Sequence, residues 1–145
     1  RVVVMHDGRV VQTGTPQDLF ETPAHTFVGY FIGSPGMNLF DAAVQGNRAV
    51  VGGHAVTLDA HYAPPRGRTQ IGVRPEYVAV AATGDLPLTV TRVEDVGRHR
   101  ILRAALAGAP LNAILPEGAP VPAEPRATFR PDRTLVYSDD WRVEG

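Results

Sequence analysis

The sequence predicts a mainly β fold, a small barrel or sandwich preceded by a β-hairpin and two short helices. The chain has 145 residues with 15 glycines and 13 prolines, about 19% of the chain where roughly 12% is usual. This high content of glycine and proline favours short strands and turns over long helices. Short apolar runs follow one another at the spacing typical of small all-β domains, and only one stretch near the start has helical periodicity.

The first element is a predicted hairpin. Two β-prone runs, at residues 2–5 and 9–13, flank Asp7-Gly8, and an Asp-Gly pair between such runs is a strong hairpin signal. The run at 2–5 has no turn or cap before it, so we expect the chain to be a piece of a longer protein.

Two short helices follow the hairpin. Thr15-Pro16 reads as an N-cap and first helical residue, and Thr22-Pro23 repeats that start signal. Apolar residues then recur at helical spacing until Gly33, and Ser34-Pro35-Gly36 marks the clearest boundary in the chain. We therefore predict two units, residues 1–37 and residues 38–145.

The second unit is predicted to consist of short strands. Glycine pairs and proline-bearing turns separate them, with Gly46-Asn47, Gly52-Gly53 and Gly108-Ala109-Pro110 as breaks and 61–68 as a loop. The predicted strands are 38–44, 49–51, 55–58, 71–73, 77–82, 86–91, 100–106, 111–115, 126–129, 135–137 and 141–143.

Composition excludes several classes of function. The chain has no cysteine, and all 14 basic residues are arginine, so it holds no thiolate metal site, no P-loop lysine and no Schiff-base lysine. Against 15 acidic residues the net charge is -1, which argues against nucleic acid as a partner. No apolar run reaches the roughly 18 residues of a membrane span.

The most singular constellation is Arg74-Pro75-Glu76. A fixed guanidinium beside a carboxylate could hold an anion or pair across an interface. Because proline locks the backbone, we favour a structural role, in which an ion pair between Arg74 and Glu76 orients a turn at the end of a strand.

Other chemistry-bearing residues predict no site. The histidines lack ligand spacing, and the paired aspartates lack a glycine-bearing loop and are predicted to form a solvated hairpin turn. The serines lack a nucleophile motif, so we predict no catalytic, cofactor or metal residue. Phe27 and Phe31 read as core or interface, and Trp141 as a lid on the barrel or a partner anchor. The residues considered are His6, His25, His54, His61, His99, Asp139, Asp140, Ser34 and Ser138.

Several of these segments resemble one protein family. Residues 3–16, VVMHDGRVVQTGTP, are similar to the end of an ABC transporter nucleotide-binding domain, and 19–28 resemble its closing helices. Residues 31–38, FIGSPGMN, resemble the junction of carbohydrate importers. The run at residues 71–76, IGVRPE, resembles the signature of their C-terminal regulatory domain.

The resemblance is to ATP-binding subunits of ABC importers of the carbohydrate and glycerol-3-phosphate type, of which the maltose importer ATPase is the best known. It implies that 1–37 end a nucleotide-binding domain and that 38–145 form an OB-like β-barrel of the TOBE type. Gly72, Arg74, Pro75 and Glu76 transfer as motif positions with a structural or interface role. No ATP-hydrolysing motif lies in this chain, so Mg-ATP belongs to the parent protein and this piece is not an enzyme.

The resemblance further implies a cytoplasmic subunit, peripheral on the inner face of the membrane. Its partners are a second copy of itself, permease subunits and a cytosolic regulatory protein. Two rivals stay open: an OB-like domain that senses a small oxyanion in an importer ATPase, and an OB-type binder of single-stranded nucleic acid, which the charge and the few aromatic residues disfavour. An independent enzyme is the least favoured class.

Overall fold

The computed structural model describes residues 1–145 and confirms the mainly β fold. Two short helices lie among fourteen strands: α1 (Pro16–Glu21) and α2 (Thr26–Phe31). The strands are β1 (Val2–His6), β2 (Arg9–Gly14), β3 (Asn38–Asp41), β4 (Ala43–Val51), β5 (His54–Tyr62), β6 (Thr69–Val73), β7 (Val78–Ala81), β8 (Leu86–Pro87), β9 (Thr89–Asp95), β10 (His99–Leu106), β11 (Ala109–Pro116), β12 (Arg126–Phe129), β13 (Leu135–Ser138) and β14 (Trp141–Val143).

The strands form five sheets and do not close into one barrel. Their orders are β1-β2, β4-β5, β11-β10-β9, β7-β12-β8 and β14-β13-β6-β3. The OB-like architecture is present, but the closed barrel that the sequence predicted is not. A physical reason is proline: Pro87 ends β8, and Pro122 and Pro125 lie in the strandless connection before β12, where each removes a donor that a closing ladder needs.

Turn chemistry confirms both predicted tight hairpins at the ends of the chain. Asp7 and Gly8 have φ of 51° and 73°, and Asp139 and Asp140 have φ of 47° and 73°. Two consecutive positive φ values are what a two-residue hairpin turn requires. The Gly52-Gly53 turn between β4 and β5 is also confirmed.

Several predicted boundaries are wrong. Gly46-Asn47 forms a bulge inside β4 instead of a break, and β5 continues to Tyr62. Ala109-Pro110 belongs to β11, because the turn is made by Ala107 and Gly108 at φ of 50° and 81°. The predicted strands 38–44 and 86–91 are each interrupted, at Ala42 and at Leu88.

The helix starts depend on side-chain caps. Thr15 caps α1 as predicted, with Asp18 completing a reciprocal capping box at 3.1 Å in both directions. The second helix begins later than Thr22-Pro23 predicted: His25 is its N-cap, and the ring atom Nδ1 accepts a hydrogen bond from the Phe27 amide at 3.0 Å.

The apolar side chains form two cores of unequal size. The larger contains 20 buried residues, all between Phe40 and Val136, and includes the stacked rings of Phe40 and Phe129. The smaller consists of Val4, Leu19 and Val28, under the hairpin and helices. No helix has both the length and the apolar character needed to cross a membrane.

Candidate functional site

The signature arginine joins the helices to the sheets. Arg74 follows β6 and is only 3% exposed. Its Nε donates to the Phe20 carbonyl at 3.1 Å, and its Nη1 donates to the carbonyls of Gly29, at 2.7 Å, and Ile32. These oxygens lie in or just after the last turns of α1 and α2, where helix carbonyls lack partners within the helix and a cation is favoured. We call this contact the Arg74 junction.

Burial opposes the charge of the Arg74 guanidinium, and neighbouring groups offset part of that effect. Its central carbon lies 4.4 Å from the centroid of the Phe20 ring, which supplies a cation–π contact. Burial lowers the pKa of Arg74, and the nearby Glu76 carboxylate partly offsets that effect. Its Nη2 is buried and has no hydrogen-bond partner. The junction therefore depends on the two nitrogens that reach the helix carbonyls.

The structure places the remaining motif residues around this arginine, in different roles. Pro75 is buried at the start of a short 3-10 turn, which it begins with its fixed φ. Glu76 is exposed and forms none of the ion pairs of the chain. The predicted Arg74–Glu76 pair is therefore not formed, because the carbonyls of the helices take the guanidinium.

Gly72 allows close packing beneath the junction. A Cβ at this position would lie 2.6 Å from Met37 Cε and 3.1 Å from Tyr137 Cε2. Gly29 of α2 likewise faces the Met37 side chain. The methionine thus fills the space between the helix and β6 that these two glycines leave.

A second contact lies beside the Arg74 junction. Tyr77 Oη is 3.3 Å from both carboxylate oxygens of Glu21 at the end of α1. Arg133 forms an ion pair with the same carboxylate, and its guanidinium carbon lies 5.3 Å from the Tyr77 ring centroid. Burial and the Glu21 charge raise the pKa of Tyr77, so its hydroxyl remains a donor at neutral pH.

A third contact fixes the start of α2 to the last hairpin. Tyr137 is fully buried and its hydroxyl donates to the Pro23 carbonyl at 2.7 Å; burial raises the pKa of Tyr137 well above its usual range. The Thr26 amide donates to the Asp140 carbonyl at 2.9 Å, and the Thr26 hydroxyl to the Asp140 carboxylate at 3.0 Å. These bonds connect residues 114 positions apart.

His25 and Trp141 meet at the same place. Their ring centroids are 4.7 Å apart with the planes near perpendicular, and Trp141 is 44% exposed. Trp141 therefore packs against the helical segment and does not cover a barrel end. His6 lies 5.5 Å from His25 by ring centroids, but His25 Nδ1 is occupied by the helix cap and burial lowers the pKa of His25. No three side chains of metal-binding type come together.

Two of the open clefts lie away from the Arg74 junction. One, of about 560 Å³, runs between β8–β9 and the connection before β12 and includes Glu124 and Arg126. Arg126 Nε donates to the Gly84 carbonyl at 2.7 Å, so its charge is already engaged. Another, of about 600 Å³, has Arg48 as its one cation. Neither cleft offers the several donors that the oxyanion-sensing interpretation requires.

Sequence reasoning missed the carbonyl partners of Arg74 and the other long-range contacts of the helical segment. Tyr137, Arg133 and Asp140 contact the helical segment across more than a hundred positions of sequence, and no local pattern signals such pairs. The Asp139-Asp140 turn was predicted, yet the capping contact of Asp140 with Thr26 was not. Ser138 donates to the Arg66 carbonyl and has no nucleophile geometry.

Comparison with known proteins shows which proteins this chain resembles. Residues 33–78, which contain the Arg74-Pro75-Glu76 run, match the model described as the MalK OB fold domain. A solved structure of the cytoplasmic molybdate-binding protein ModG aligns with a TM-score of 0.56 at 13% identity, covering 70% of this chain and 95% of that one. At this identity the likeness concerns the fold.

Curated relatives extend the match along most of the chain. The sn-glycerol-3-phosphate import ATP-binding protein UgpC of Salmonella choleraesuis (strain SC-B67) is 44% identical over 107 residues, covering 70% of this chain and 30% of the relative. UgpC 2 of Agrobacterium fabrum (strain C58 / ATCC 33970) is 41% identical over 122 residues, covering 81% of this chain and 33% of the relative. UgpC of Jannaschia sp. (strain CCS1) is 34% identical over 117 residues, covering 81% of this chain and 34% of the relative. The chain spans about a third of the length of these relatives. Over most of its length the chain is therefore similar to import ATP-binding subunits of ABC transporters, and residues 33–78 match the OB-fold domain of the MalK model.

Proposed function

We propose that this chain is the non-catalytic regulatory and dimerisation part of the ATP-binding subunit of an importer for sugars or glycerol-3-phosphate. Residues 1–37 would be the end of the nucleotide-binding domain and 38–145 the regulatory domain. The observation that carries this proposal is the Arg74 junction, in which a buried guanidinium in the regulatory sheets holds the carbonyls of both helices. The family match of residues 33–78 supports it.

The junction supplies a mechanism for regulation. Because Arg74 is buried and bonded at three carbonyls, α1 and α2 cannot shift without breaking these bonds or moving β6 with them. Packed elements of this kind move as rigid bodies and do not deform continuously. A displacement of the ATPase end therefore reaches the regulatory sheets, and a partner bound to the sheets can resist it.

The relatives, which are import ATP-binding proteins, support the setting that we propose. The parent subunit would bind Mg-ATP, sit on the cytoplasmic face of the membrane under two permease subunits, and act as a pair of copies. A cytosolic regulatory protein is a further proposed partner of the sheets. The permease and not this chain would select the solute.

A chimera tests the proposed function. The corresponding region of the Salmonella relative would be replaced by this chain, and glycerol-3-phosphate uptake compared with that of a truncated subunit. We expect the chimera to restore uptake and the truncation to lack it. Arg74→Met in the chimera is expected to reduce uptake while nucleotide binding persists, whereas Arg68→Met, at an exposed ion pair, leaves uptake unchanged. A chimera no better than the truncation would refute the proposal.

Nucleotide binding by the isolated chain provides a second test. Without lysine and without a phosphate-binding glycine loop, the 145-residue chain is expected to give no saturable heat with Mg-ATP in calorimetry. Saturable micromolar binding would show that this chain carries a nucleotide site of its own and would contradict the non-catalytic assignment.

A further inference from the structure

The outer strand of one sheet has a free edge. β9 pairs with β10 and with no other strand. Most of its side chains are exposed, and Val93, at 37%, and Val96, just beyond the strand at 50%, are among the few exposed large hydrophobic residues. An edge with unpaired N–H and C=O groups is a template for another strand.

The hairpin turn determines which backbone groups point outward. The Val96 amide donates to the His99 carbonyl at 3.1 Å. Bonded and non-bonded pairs alternate along an antiparallel ladder, so Glu94 and Arg92 are the next residues bonded to β10. The N–H and C=O groups of Val93 and Asp95 therefore point away from β10, toward the free edge.

We propose that this edge pairs antiparallel with the same edge of a second copy of the chain, with Val93 opposite Val93 on the twofold axis. In this register Arg92 of each copy lies opposite Glu94 of the other, so the twofold axis generates two such pairs. The neighbouring registers that use the same outward groups place Arg92 opposite Arg92 or Glu94 opposite Glu94. Like charges directly opposite each other are destabilising, so the sequence of the edge selects one register. This inference rests on the proposed function, which calls for two copies.

The acidic partner is already positioned for such an interface. Arg103 Nε lies 2.9 Å from Glu94, and Arg92 pairs with the same carboxylate. The hydrogen bond from Arg103 lowers the pKa of Glu94, so the carboxylate is charged at neutral pH. Exposed ion pairs contribute little free energy; the charges choose the register, while main-chain bonds and the Val93 contact provide the attraction. A contact this small, under about 1,000 Å², gives a weak dimer.

Cysteine cross-linking tests the register directly, because the chain has no cysteine. Residues facing each other in a bonded pair have Cα atoms about 5.5 Å apart, within disulfide reach. Val93→Cys is expected to form a disulfide dimer at least tenfold faster than Val96→Cys. The two valines are similarly exposed, but in this register the two copies of residue 96 are roughly 20 Å apart.

A charge reversal gives an independent test. Arg92→Glu places like charges opposite each other at two symmetric points, and we expect the dissociation constant measured by sedimentation to rise about tenfold. Arg68→Glu is the matched control, since Arg68 also forms an exposed ion pair and has a side chain 64% exposed against 66% for Arg92. The control is expected to leave the dissociation constant unchanged.

The outcomes separate this inference from the proposed function. Equal cross-linking of the two cysteine variants, or equal effects of the two charge reversals, in a chain that still self-associates would overturn the β9 interface and leave dimerisation standing. A chain that stays monomeric near 1 mM would overturn both the interface and the dimerisation role, while the chimera still reports on importer function. Cross-linking of Val93→Cys to a permease in the chimera, and not to itself, would also overturn the interface.

Discussion

Replacing Arg74 by methionine tests the junction most directly. The substitution keeps an apolar stem against Phe20 and removes the hydrogen bonds to the carbonyls of Phe20, Gly29 and Ile32. Hydrogen bonds to charged groups contribute about 1.5–3 kcal/mol each. Removing a buried charge with one unpartnered nitrogen offsets part of that loss. We expect a net decrease of about 3 kcal/mol in the free energy of unfolding, roughly a hundredfold change in the unfolding equilibrium.

Urea unfolding followed by the fluorescence of Trp141, the one tryptophan of the chain, measures that decrease. Hydrogen exchange at the Gly29 and Ile32 amides, which donate within the second helix at 3.2 and 2.9 Å, reports the local effect. Both amides are expected to exchange faster in Arg74→Met. Arg74→Lys should recover only part of the loss, because an ammonium group lacks the planar fork that reaches several carbonyls.

Arg126→Met is the matched control. Arg126 also donates to backbone carbonyls, those of Gly84 and Asp85, but at a more exposed site away from the helices. The Arg126→Met substitution is expected to lower the free energy of unfolding by about 1 kcal/mol and to leave hydrogen exchange in the second helix unchanged. The proposed role of Arg74 is refuted if Arg74→Met lowers the free energy of unfolding by less than about 1 kcal/mol. It is also refuted if both substitutions speed hydrogen exchange in the second helix equally.

Three further changes probe the surroundings of the junction. Tyr137→Phe removes the donor to the Pro23 carbonyl and is expected to cost about 1–2 kcal/mol in urea unfolding; an unchanged midpoint would contradict the contact. Gly72→Ala brings a Cβ to 2.6 Å from Met37 Cε and is expected to cost about 1–3 kcal/mol, which Met37→Ala should partly relieve. The lowered pKa of His25 means that the unfolded chain binds the proton more tightly, so stability should fall as pH decreases from about 6.5 and level off below the folded pKa; His25→Asn, which retains a cap acceptor, should lose that pH dependence.

Local signals in the sequence predicted the elements well and their connections poorly. The Asp7-Gly8 turn, the Thr15 cap and the strand spacing depend on neighbours within a few residues, and the structure confirms all three. The bulge at Gly46 and the start of the second helix at His25 differ from prediction because ladder pairing and a side-chain cap outweighed the glycine and proline signals. The bulge depends on pairing between two strands, which a local pattern does not contain, whereas the His25 cap is a local contact that the proline signal obscured.

For the candidate site too, the sequence predicted the important residues but not their partners. The Arg74-Pro75-Glu76 run was singled out from its residue types, and a structural role was favoured because proline fixes the turn. The ion pair expected within the run is absent, since the helix carbonyls bind the guanidinium and Glu76 faces solvent. A motif identifies the residue that matters more readily than it identifies the partner, because the partner comes from a distant part of the chain.

The unequal cores explain why the junction couples the two segments energetically as well as geometrically. The buried apolar cluster under the hairpin and helices has only three residues, Val4, Leu19 and Val28, against 20 residues in the main core. Since ordering each residue costs about 1–2 kcal/mol of conformational entropy, three buried side chains cannot order the first segment alone. Its order also depends on the hydrogen bonds that Arg74 and Tyr137, from the sheet region, donate to backbone carbonyls of the helical segment, so a partner that displaces either contact also loosens the helices.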